Sequence, residues 1–195
     1  MMNFKKIVPL ATLIALLIVT VSGQTTDAKI KAGMARFPGI ARPDMEQLVA
    51  AKQVMSVALP KWLPAGFKLE KITSRLGRGV AIEDREFVII YSRKVAGEKT
   101  QRFALEAGFD GLGDLMYDGA KTLATPLGKI YLLYEPKDPD QDGKKLKNYV
   151  MTEWFSVGKT AFHYIGWYGG DEDDPNLAMI SLSDTEKILR SLQKL

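Results

Sequence analysis

The 195-residue chain contains no cysteine and a single histidine, His163. The first absence excludes disulfides, thiolate zinc ligands and the lipid-modified cysteine of bacterial lipoproteins. The second leaves a zinc ion only carboxylates to join His163, which is poor company for that metal. No G-x-S-x-G elbow is present to set a serine nucleophile beside the histidine. A large excess of one charge is missing too. The 27 basic and 23 acidic residues give a net charge of +4. A nucleic-acid ligand, which needs a concentrated basic face, is therefore not expected.

An apolar run long enough to span a bilayer is also lacking. Lys5 and Lys6 precede an uncharged stretch from Ile7 to Val21, interrupted by Pro9 and followed by Ser22 and Gly23. A membrane span needs ~20 apolar residues. The basic start, short apolar stretch and small-residue ending are instead those of a secretory signal. Residues 1–23 are expected to be a signal peptide. The product is then periplasmic or secreted, and meets the membrane only if the segment is left uncleaved. Without Lys5 and Lys6 the net charge falls to +2, which weakens the case for nucleic acid further.

What is present is the composition of a foldable domain, 46% hydrophobic and 26% charged. Residues 24–43 carry Gly33, Pro38, Gly39 and Pro43 and read as a flexible basic linker. Asp44 and Gln47 have the spacing of a capping box, and Leu48, Ala51, Met55 and Leu59 make an apolar stripe at helical spacing. Strand patterns follow at 66–76, 85–94, 100–109, 129–136, 148–157 and 160–168, the last two joined by Gly158-Lys159. Ser183 and Glu186 then frame a second capping box ahead of Ile188, Leu189 and Leu192. Most connections are too short for a crossover helix. Residues 44–195 are thus predicted to form one α+β domain. It would be a mainly antiparallel meander of about six strands, with an N-terminal and a C-terminal helix packed on one face.

Asp138, Asp140 and Asp142 alternate ahead of Gly143, like the first half of an EF-hand calcium loop. Counting from Asp138, the glycine falls at position six as that loop requires. Position twelve, however, is Tyr149 in place of a bidentate glutamate, and position eight is Lys145 in place of an apolar residue. The segment reads as a turn between strands, with at most a weak, millimolar-type calcium site at Asp138, Asp140 and Asp142. No other cofactor is implied. Aromatic residues crowd the last hairpin. Period-two alternation sends some to the core and leaves Trp154, Trp167 and Tyr168 as candidates to meet a partner. Glu106, Glu135 and Glu153 are strand carboxylates that would suit acid–base work if two of them converged.

The stretch LPKWLPAGFKLEKI, with Leu59, Pro60, Leu63, Pro64, Gly66 and Phe67, resembles the opening of a bacterial family of exported domains of unknown function. That family also supplies the extracytoplasmic part of transmembrane anti-sigma factors and of envelope proteins. Trp154 before the Gly158 turn, and the closing SLSDTEKILRSL segment, fit the same pattern, in which Phe67 stands where an aromatic with a hydroxyl is usual. The resemblance covers roughly residues 59–195. It implies an envelope location and no activity. The expected function is an exported, non-enzymatic domain that binds an envelope protein or lipid. The alternatives are a carboxylate-based hydrolase and a calcium-stabilised structural domain.

Overall fold

The computed structural model describes residues 26–109, 120–137, 142–147, 149–166 and 175–195. The expected signal peptide lies outside them. Two neighbours in one strand show how the sheet is used. Leu132 and Leu133 are both fully buried, yet Leu132 belongs to the main core and Leu133 to a small cluster with Tyr149 and Met151. Successive strand residues point to opposite faces, so the sheet buries side chains on both.

The chain begins with helix α1 over residues 26–34 and continues into α2, Arg42–Val54. Then come β1 (Ala58–Pro60), β2 (Lys68–Arg75), β3 (Glu86–Lys94) and β4 (Thr100–Gly108). They are followed by β5 (Lys121–Thr125), β6 (Gly128–Tyr134), β7 (Val150–Thr152), β8 (Phe155–Val157) and β9 (Thr160–Ile165). Helix α3 (Leu182–Arg190) and β10 (Leu192–Lys194) close the chain. The fold is α+β with antiparallel strand pairing. An eight-stranded sheet runs β2-β3-β4-β9-β7-β6-β5, with β8 also paired to β9, and β1 pairs β10 in a separate two-stranded ribbon.

Several expectations need correction. The sheet is not a simple meander, because β9 is inserted between β4 and β7. Strand β4 buries Phe103, Ala104, Leu105 and Ala107, so its neighbour must be apolar on both faces. Strand β9 meets that demand with Phe162, His163 and Tyr164, whereas β5 buries only Leu123 and suits an edge. The strand expected over 148–157 is broken into β7 and β8. The expected linker is not one throughout: residues 26–34 are helical, and Met34 and Phe37 are buried in the core. Pro38 and Gly39 follow that helix rather than interrupting it, and Gly39 (φ 77°) accepts a hydrogen bond from the Leu69 N–H. Asp44 is not an N-cap. Helix α2 starts at Arg42, and the Asp44 carboxylate reaches back to accept from the Ala41 N–H at 3.0 Å. The helix stops at Val54, and Leu59 belongs to β1. In α3 the cap is Ser181, not Ser183, with its Oγ accepting from the Asp184 N–H at 3.1 Å.

One face of the sheet joins the helices in a single core. Leu48 and Ala51 of α2, Ile188 and Leu189 of α3, and Met34 of α1 share it with Phe87, Ile89, Leu105 and Ile130. At its centre the ring of Phe103 stacks on Tyr91 (4.9 Å between centroids) and on Tyr164 (5.3 Å). Each such pair contributes about 0.5–1.5 kcal/mol beyond area burial. The two sheet edges are blunted differently. On β2, Lys68, Glu70, Lys71 and Arg75 are exposed and the register shifts between Leu69 and Lys71. On β5, α3 covers the edge: Lys121 pairs with Glu186 at 2.6 Å, and Arg190 Nη1 donates to the Ala124 carbonyl at 3.0 Å.

The Tyr91 hydroxyl is buried and meets no hydrogen-bond partner among the described residues. Thr185 faces the Tyr164 hydroxyl without reaching hydrogen-bond geometry. Burial pushes both phenols well above their ordinary pKa, and the Asp44 charge adds to the effect at Tyr91. In the unfolded chain both ionise near pH ~10. The unfolded state therefore loses protons first, so stability is intact below about pH 10 and falls above it. Each phenol costs about 1.4 kcal/mol per pH unit in that range. Urea unfolding followed by circular dichroism should show this alkaline decline. The double variant Tyr91→Phe/Tyr164→Phe should lose most of it, and an unchanged slope in that variant would contradict the assignment.

Candidate functional site

The face of the sheet away from the helices is set by the same alternation. Phe87 and Ile89 point into the core, so Glu86 and Val88 point out. Strand pairing then lines up Thr73, Val88, Glu106 and His163 across β2, β3, β4 and β9. A groove of about 540 Å³ lies over this row. Its floor includes Thr73, Val88 and Glu106. Arg75, Glu83, Asp84, Arg85 and Glu86 stand along one side, and Trp154 closes the other.

The wall formed by the β2–β3 loop has local order. The Val80 N–H donates to the Gly77 carbonyl, Asp84 to Ala81 and Arg85 to Ile82, a run of consecutive turns. Arg85 Nε also donates to the Val80 carbonyl at 3.3 Å. Glu83 and Asp84 of this loop line the groove, and Ile82, 56% exposed, precedes them in the chain. On the far side, Phe155 turns into the core and its ring lies 6.0 Å from that of Phe162. The preceding residue, Trp154, turns outward and is half-buried, its ring centroid 4.9 Å from that of His163.

His163 completes the arrangement from below. Its side chain is 7% exposed, and Nδ1 lies 3.7 Å from Glu106 Oε2. Its Nε2 is buried without a hydrogen-bond partner among the described residues. The imidazole thus stands behind the groove, against the two groups that line it, Glu106 and Trp154. With Nε2 buried, the ring is not placed to exchange a proton with a molecule in the groove.

Of the residues singled out from sequence, Trp154 is in the groove, and Trp167 and Tyr168 lie outside the described residues. Glu106 is in the groove but Glu135 and Glu153 are not among its lining residues, so these three carboxylates do not converge there. Glu135 sits in a turn after β6 (φ 46°), its N–H donating to the Tyr149 carbonyl, and Glu153 links β7 to β8. The groove residues missed were Arg75, Glu83, Asp84, Arg85 and Glu86. The charged run EDRE between two strands was the available signal. Two exposed aromatics were missed as well: Tyr131, and Trp62, over whose ring Lys187 Nζ sits at 5.5 Å.

For calcium, Asp138 and Asp140 lie outside the described residues. Asp142 (φ 50°) and Gly143 (φ 71°) are described, and the chain doubles back so that Lys137 bridges Lys145. Among the described residues no three metal-ligating side chains gather. Among them, too, no helix is long and apolar enough to cross a membrane. Compared as a whole, the chain matches no family model, no curated protein and no solved structure. Thermal unfolding in chelator and then in millimolar calcium should give melting temperatures within about 2 °C of each other. A site occupied at its dissociation constant adds only ~0.4 kcal/mol. A large upward shift abolished by Asp140→Ala would show a true calcium site.

Proposed function

We propose that this chain is an exported envelope domain, without catalytic activity, that binds a protein partner through the groove between Trp154 and the β2–β3 loop. Export is supported by the basic start, short apolar stretch and Val-Ser-Gly ending of residues 1–23. Envelope location is also supported by the resemblance of residues 59–67 to the opening of exported domains. The observation that carries the binding reading is the groove itself: a concave, charged surface with an indole in its lining, on the face of the sheet away from the helices. Four carboxylates against two guanidinium groups make it a poor seat for an anionic lipid headgroup, which favours a protein over a lipid.

A hydrolase remains the second reading, and one observation favours it. Val88 pairs with Glu106, and Glu86 lies two residues before Val88, so Glu86 and Glu106 are diagonal neighbours on one face. Such positions are about 7–8 Å apart, within the range of paired acid–base carboxylates. Against it stands the burial of His163 Nε2.

The test is photo-crosslinking in living cells with the full chain. A benzophenone amino acid placed at the exposed Ile82, next in the chain to the lining residue Glu83, should give one discrete adduct with an envelope protein. The same probe at Glu46, exposed on α2, should give none. No adduct from Ile82, or equal adducts from both positions, would overturn the reading.

A further inference from the structure

We infer that the groove takes a cationic side chain of its partner, a lysine ammonium or an arginine guanidinium, seated between the indole of Trp154 and the carboxylate of Glu106. This rests on the groove being the contact surface. The first observation is charge. Glu83, Asp84, Glu86 and Glu106 face Arg75 and Arg85, so the groove is acidic on a chain whose net charge is +4. Among the described residues no ion pair within 4 Å engages Glu83, Asp84, Glu86 or Arg75, while Arg85 is held to the Val80 carbonyl. The acidic charge therefore remains available to a ligand. Arg102 of β4 and Glu70 of β2, farther along the same strands, form a bidentate pair at 3.0 Å, an ion pair of the kind the groove acids lack.

The second observation is an aromatic side chain, Trp154, that lines the same groove as these acids. A polar ring more than nine-tenths buried, His163, points its Nδ1 edge at the groove carboxylate Glu106 and lies against Trp154. Burying an imidazole with one nitrogen unpartnered is costly. Here the ring braces both groups at a fixed spacing. It lies 4.9 Å from the indole at a tilt of 33°, while Trp154 still lines the groove. An aromatic face beside a carboxylate is the arrangement that holds an alkylammonium or guanidinium ion, through ring quadrupole and ion pairing together. Thr73 and Val88 on the floor suit the aliphatic stem of such a side chain, whose methylenes seek apolar contact while the charge seeks its partner.

The full chain is titrated with tetralysine amide, with tetraglutamine amide as control, and followed by amide chemical shifts. Saturable shifts confined to the groove are expected for tetralysine and none for tetraglutamine. Glu106→Gln and Trp154→Leu should each weaken binding about fivefold. Glu83→Gln, on an exposed loop where the fold is not at stake, should weaken it about twofold. Raising the salt should weaken binding by the parent chain. Shifts that are absent, that spread over the surface without saturating, or that survive Glu83→Gln and Glu106→Gln unchanged would overturn the inference. Crosslinking at Ile82 with no tetralysine binding would leave the groove contact standing and remove only the cationic ligand. Failure of both would remove the two together.

Discussion

The stacking of Tyr91, Phe103 and Tyr164 is the constraint on which the rest depends. It sets β9 beside the consecutive strands β3 and β4 and fixes their register from the core side. Because strand side chains alternate, that choice also dictates the opposite face. With Leu105 inward against Ile89 and Tyr164, Glu106 must face outward between Val88 and His163. A slip of one residue would bury Glu106 and expose Phe103. The groove is therefore the reverse side of the core, and the same apolar contacts that stabilise the domain align its charged row.

Tight contacts lock the neighbouring elements to this centre. A side-chain carbon on Gly166 would come within 2.8 Å of Val150 Cβ, so β9 approaches β7 there only because the residue is glycine. At the hairpin turn Gly158 has φ 66° and lies against Ser56, whose own N–H donates to Thr160 Oγ1 at 2.9 Å. The exit from α2 is thus tied to the turn before β9. Arg93 plays the same part at the other end of β3: it donates to the Ala65 carbonyl and to Gln101 Oε1, and its guanidinium lies over Phe67. That side chain joins the Leu-Pro-rich stretch to the sheet, beside the core packing of Phe67 on Phe103.

What could be read from sequence follows from which forces are local. The β-forming run of EFVIIYSRK and the alternation in FALEAG revealed strands, and the spacing around Leu48 and Ile188 revealed helices, because composition and period reflect burial. The place of β9 could not be read, since it depends on which distant strand can cover both sides of β4. Helix 26–34 was obscured by Gly33, Pro38 and Gly39, although the decisive facts are the burial of Met34 and Phe37. The site was legible only at Trp154 and, as a single carboxylate, Glu106. Glu83 and Asp84 fell between two expected strands and Glu86 inside one, and only the folded sheet gathers them in one groove with an indole. A lone histidine in FHYIGWY carried no sign that Glu106, from a strand far earlier in the chain, lies 3.7 Å from it.

The pairing of β4 with β9 is tested most directly by nuclear Overhauser effects between backbone protons. The predicted result is cross-strand contacts linking Leu105 to Tyr164, Glu106 to His163 and Ala107 to Phe162. Contacts linking β4 instead to β5, around Leu123, would show a simple meander. Glu106 would then be separated from His163 and Trp154, and neither the shared origin of core and groove nor the binding surface would stand.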